Sequence, residues 1–163
     1  GVKNPSTDGL TFLDKAARMG NPAALTELGK QYIYIGNKDA LGLQYTQCAA
    51  DQEYGQANYE IATYHQLIRH NFPLALKHYQ IALSQGNKYS ALQMTTTFEK
   101  TSARHNAMWY EPNDQLAEIY NDLLNKLFAD PDLRFPTLMK DYPLPPHPTQ
   151  GYDAERPDWK PDQ

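Results

Sequence analysis

A step of 33 residues runs through this chain from Asp8 to Glu99. Ala16, Ala49 and Ala82 lie on it, and so do Leu10, Leu43 and Leu76. The same step links Leu28, Ile61 and Met94, then Ala24, Ala57 and Ser90. It also links Tyr32, His65 and Phe98, and finally Gly20, Glu53 and Gly86. Columns of matched side-chain size at one ungapped offset mark a repeat, and a repeat limits the fold to units that bury their apolar faces against neighbours.

Each copy reads as two helices. Gly20 suits the left-handed position past a helix end, Asn21 caps the next helix, and Pro22 takes its first turn, where a missing amide costs nothing. Gly36 stops that helix. The third copy repeats the punctuation with Asn71, Pro73, Gly86 and Asn87. The three copies are expected at 8–36, 39–69 and 71–99, together forming a region at 8–101. The fold class expected is all-α: an alpha-alpha superhelix, or solenoid, of three helix pairs. A capping helix and a proline-rich extended tail at 102–163 complete it. After Glu99 the 33-residue step is lost. Asn113 then caps a helix ending near Ala129, with Leu116, Ile119, Tyr120, Leu123, Leu124 and Leu127 as its apolar stripe. Thr101 to Pro112, with Trp109 and Tyr110, reads as a packed loop.

The columns also assign faces. On the first helix of each copy, Thr11/Gln44/Lys77, Asp14/Gln47/Gln80 and Arg18/Asp51/Ser84 are polar and share one side. Opposite them stand Gly9/Gly42/Ala75, Leu13/Thr46/Tyr79 and the alanine column, small enough for close backbone approach. On the second helix, Glu27/Glu60/Gln93 and Lys30/Thr63/Thr96 are expected to face solvent. In an array of this kind the first helices are expected to line the concave groove. The candidate partner-binding residues are therefore Gln44, Gln47, Asp51, Lys77, Gln80 and Ser84, with Asp14 and Arg18 at the rim.

Catalytic signatures are absent. The five histidines include no HExxH or paired Cys/His spacing, and His65 sits in an aromatic packing column. No phosphate-cradling loop or nucleophile elbow occurs. Cys48 is the only cysteine, which excludes an internal disulfide. No cofactor or metal is expected. The formal net charge of −4 argues against nucleic acid as a partner, because no basic block exists to neutralise phosphates. No apolar run reaches the ~18 residues a membrane-spanning helix needs, so stable membrane insertion is not expected.

Twelve prolines gather mostly in the second half, with Pro143, Pro145, Pro146 and Pro148 close together. That stretch cannot be regular helix. Leu138, Tyr142, Leu144 and Trp159 are its apolar anchors, so the tail is expected to fold back over the terminal helix, with a short helical turn around Thr137 to Lys140.

The segment KAARMGNPAALTELGKQY, Lys15 to Tyr32, resembles the Sel-one-like repeat, a relative of the tetratricopeptide fold. Ala16, Ala17, Gly20, Ala24, Leu28, Gly29 and Tyr32 fit that pattern. The second copy departs from it at Glu53 and Ala62, and the third at Leu83, Ser90 and Thr95. Asp130-Pro131-Asp132, Phe135-Pro136, Pro143-Leu144-Pro145-Pro146 and Trp159 follow the order of a short C-terminal domain found on many bacterial proteins of this kind. The resemblance implies a non-enzymatic protein-binding module. More specifically, it implies a periplasmic immunity protein, its leader removed, that neutralises a phospholipase-type effector of type VI secretion. A general protein–protein scaffold, cytoplasmic or periplasmic, is the alternative, and a small hydrolase ranks third.

Overall fold

The computed structural model describes residues 5–100 and 108–152, with side chains in the first helix from Phe12 onward. Trp159 and most of the expected loop from Thr101 lie outside the described residues. The described residues form helices and one antiparallel bridge, His147 with Gly151, and no strand. In order the helices are α1 (Pro5–Arg18), α2 (Pro22–Tyr34), α3 (Asp39–Ala50), α4 (Gly55–Leu67), α5 (Phe72–Ser84), α6 (Lys88–Phe98), α7 (Asp114–Ala129) and α8 (Leu138–Asp141).

The local punctuation follows the sequence. The side chains of Asn21, Asn71, Asn87 and Asn113 each accept an amide of the helix they start, from Ala24, Leu74, Ser90 and Leu116. Gly20 and Gly86 take φ of +82° and +88°, and Glu53 fills the same column at φ 58°. Asn37 and His70, also 33 residues apart, are both left-handed at φ 51°. The repeat is thus visible in the backbone as well as in side-chain size.

Helices pack in an order that shifts the unit boundary. The intimate packings are α2 on α3, α4 on α5 and α6 on α7. Each joins the second helix of one expected copy to the first helix of the next. At the first crossing the backbones nearly touch. A Cβ placed on Gly29 would sit 2.7 Å from the Gly42 carbonyl oxygen, and one on Gly42 would sit 2.6 Å from that of Gly29. The equivalent positions at the second crossing are Ala62 and Ala75, both fully buried.

Stacked rings mark every one of these crossings. Tyr32 stacks on Tyr45 at 5.4 Å, His65 on His78 at 6.0 Å, and Phe98 on Tyr120 at 6.0 Å, all within 19° of parallel. Tyr120 stands 42 residues after His78, nine more than the repeat step. Applying the same shift, Ala117 follows Gly42 and Ala75. Helix α7 therefore occupies a repeat position displaced by a nine-residue insertion, where the sequence had shown only a lost period. The main core lies around this end of the array, with Phe72, Leu76, Tyr79, Leu83, Met94, Phe98, Tyr120 and Leu127 fully or almost fully buried.

The tail from Asp130 runs as a strap. The amide of Phe135 donates to the Ser84 carbonyl at 2.8 Å, at the C-terminal end of α5. The Gln80 amide group donates to the Tyr142 carbonyl at 2.6 Å. At the N-terminal end of α5, the Gln150 side chain accepts from the Phe72 amide and donates to the His70 carbonyl, each at 2.8 Å. The strap thus crosses α5 antiparallel to it. Leu138 is buried, and Tyr142 and Leu144 pack on the main core, but the helix the strap follows is α5 and not the terminal helix α7 that the sequence suggested. His147 closes the strap. Its Nδ1 accepts from the amides of Thr149 and Gln150, which leaves Nε2–H to donate to the Met108 carbonyl at 2.7 Å. Its ring lies between Phe72 and Tyr110, 5.5 and 4.9 Å away.

Candidate partner-binding face

The polar columns of α1, α3 and α5 meet different fates. On α3, Gln44, Gln47 and Asp51 are exposed, with the Gln47 amide donating to Asp51 at 2.8 Å. Lys77 on α5 is exposed as well. At the rim, Arg18 pairs with Asp14 at 2.9 Å on an open surface, with side chains 79% and 50% exposed. Such a pair contributes little to stability.

Gln80 and Ser84 depart from the expectation. Both are buried, because the strap lies across the polar face of α5. Gln80 spends its amide on Tyr142 and on the Tyr120 hydroxyl, and Ser84 donates its hydroxyl to Ile81. They hold the strap and are not surface residues. Glu60, expected to face solvent, is also buried. Its carboxylate accepts from Gln56 at 2.8 Å and lies 3.6 Å from Lys30 of α2, so it ties α4 to the preceding helix pair.

Where the strap meets the C-terminal end of α5 it forms a cleft of about 320 Å³. Glu53, Ile81, Ser84, Arg134, Pro136 and Met139 are among the residues that line it. Residue reasoning missed this feature. Its one sequence signal is Glu53, a carboxylate in a glycine column. Nothing marked Arg134, whose Nη1 donates to the carbonyls of Leu133 and Pro131. A second exposed feature is apolar: Ile35 and Ile68 follow α2 and α4 at equivalent positions, beside exposed Tyr34 and Leu67.

His65 and His78 form a packed pair. Burial lowers both to about 4, helped by Arg69 at His65 and by His65 and Lys77 at His78. His78 Nδ1 lies 3.0 Å from the Asn58 side-chain oxygen. Among the described residues no group of three or more His, Cys, Asp or Glu side chains could hold a metal. Nor is any described helix long and apolar enough to cross a membrane.

Three solved structures share this arrangement. The chain matches immunity protein PA5088 from Pseudomonas aeruginosa at 60% identity and a TM-score of 0.86, over 97% of this chain and 61% of that one. The resemblance is to immunity proteins. Immunity protein PA5087 of the same organism matches at 55% identity and a TM-score of 0.86, over 98% of this chain and 60% of that one. The Pseudomonas aeruginosa protein PA5086 matches at 59% identity and a TM-score of 0.87, over 96% and 60%. The chain spans about three fifths of the length of each of these three proteins. No family model matches the sequence, and no curated protein does.

Proposed function

We propose that this chain is an immunity protein that neutralises a toxic bacterial effector by binding it, without catalysing a reaction. The carrying observation is the 60% identity to an immunity protein across nearly the whole chain. Identity at that level extends to surface residues, which a shared fold alone leaves free to drift. The target we infer is a phospholipase-type effector of type VI secretion met in the periplasm, on the strength of the tail's resemblance to the C-terminal region of such immunity proteins. The contact face we infer is the exposed part of the odd-helix stripe: Gln44, Gln47, Asp51 and Lys77, with Asp14 and Arg18 at the rim.

Co-expression tests the reading. If a phospholipase-type effector gene adjoins this chain's gene, cells producing that effector should survive when the chain is exported with it, and die when it is not. Death in both cases would end the immunity reading. Alanine at Gln47 and Asp51 should weaken protection while leaving thermal stability nearly unchanged. Full protection by that variant would move the contact elsewhere, first to the Tyr34, Ile35, Leu67 and Ile68 edge.

A further inference from the structure

The strap shows how a polar helix face of this array holds a stretch of chain. On α5, Gln80 donates to the Tyr142 carbonyl at 2.6 Å, and the Ser84 carbonyl accepts from the Phe135 amide at 2.8 Å. The stretch so held has no regular structure apart from the single turn α8 and the bridge between His147 and Gly151. One side-chain amide and one carbonyl at the helix end thus read two backbone groups of the strap. Both lie in repeat columns of the polar stripe.

The same stripe is uncovered on α3. Gln47 is the column mate of Gln80, and Asp51 of Ser84, and both are exposed where their mates are buried. The Gln47 amide donates to the Asp51 side chain at 2.8 Å, an exposed pairing one turn apart that a competing acceptor replaces at little cost. Among the described residues no hydrogen bond uses the Asp51 carbonyl, one of the acceptors that a helix end leaves unpaired.

The outer helices offer no such pair. In these columns α1 holds Asp14 with Arg18, and α7, after the nine-residue shift, holds Asp122 with Lys126. These are ion pairs at 2.9 and 3.0 Å. An ionised carboxylate accepts and cannot donate, so neither aspartate can hold a backbone carbonyl as Gln80 does. Of the four stripes, α3 alone is both uncovered and supplied with the amide.

We propose that α3 receives a segment of the effector lying antiparallel across it, as the strap lies across α5. One backbone carbonyl of that segment sits on the Gln47 amide, and one backbone amide donates to the Asp51 carbonyl. The inference rests on the immunity reading and names the form of the partner at that face. The segment has to be a loop or terminal stretch, because backbone groups inside a partner's helix or sheet are already paired.

Overlapping synthetic peptides test this. They span the phospholipase-type effector proposed as the target, are arrayed beside peptides of this chain's own sequence, and are probed with the full chain. One run of neighbouring effector peptides should bind. Gln47→Met keeps the side-chain length and removes the donor. It should weaken binding of that run and of the intact effector about tenfold, with the melting temperature unchanged. Gln80→Met should instead lower the melting temperature, since its amide holds the strap. Binding of the intact effector with none of its peptides bound would overturn the proposal, and the α3 stripe would then read a folded surface. Undiminished binding by Gln47→Met would overturn it too, as would capture of this chain's own peptides in place of the effector's. Failure of the intact effector to bind the wild type is a separate outcome, removing the immunity reading and this inference with it.

Discussion

At positions 20, 53 and 86 one backbone conformation is served by three different surroundings. Gly20 faces open space, so Gly20→Ala should cost only the left-handed strain, about 1 kcal/mol. Gly86 lies under Arg134, and a Cβ there would come 2.8 Å from the Leu133 carbonyl. Gly86→Ala should therefore cost clearly more and loosen the strap, as urea unfolding of the two variants would show. The paired histidines make a second prediction at this scale. Their unfolded value is near 6.5 and their folded values are about 4. Between these limits the unfolded chain binds more protons, so the stability of the neutral pair is complete above pH 6.5 and is lost as pH falls toward 4. The slope is at most ~1.4 kcal/mol per pH unit for each histidine. The melting temperature should drop from pH 7 to pH 5, and His65→Phe, matching Phe98 in its column, should flatten that drop. An equally steep drop in the variant would move the acid sensitivity to other groups, His147 first. The turn at Glu53 was half legible: the sequence shows a carboxylate in a glycine column, but only the fold shows that the turn stays left-handed and opens on a cleft.

Among the elements, the repeat length and the cap residues could be read directly, whereas the phase could not. A 33-residue period is satisfied equally by cutting before α1 or before α2. Packing decides, and it joins α2 to α3, with Gly29 and Gly42 at the point of contact. Gly42→Ala should overpack this crossing and cost roughly 1–3 kcal/mol. Ala75→Gly, at the equivalent place on α5, should cost the helix propensity of glycine, about 1 kcal/mol, and about as much again for the buried methyl it removes. A negligible loss for Gly42→Ala would mean that the first crossing is looser than its geometry. Helix α7 was legible as an amphipathic helix with the right cap and stripe. Its kinship with α3 and α5 was hidden because nine inserted residues broke the offset, and the ring pair Phe98–Tyr120 reveals it.

On the scale of the whole molecule, the strap is what sequence patterning could not trace. Gln80 and Ser84 lie in columns with exposed Gln47 and Asp51, and a polar helix face looks the same whether water or a backbone covers it. The prolines lower the cost of ordering the strap by restricting the unfolded chain. Truncation after Asp130 should expose the α5 face and the core contacts of Leu138 and lower the melting temperature. An unchanged melting temperature would mean that the strap contributes nothing to the fold. The central claim, neutralisation by binding, is tested most directly by titrating this chain into a fixed amount of the phospholipase-type effector proposed as its target and following lipid hydrolysis. A binding inhibitor predicts a linear fall that ends at a fixed stoichiometric ratio, near one chain per effector, with activity returning when the complex is dissociated. Complete and lasting inactivation far below one equivalent, or no inhibition at any ratio, would contradict it.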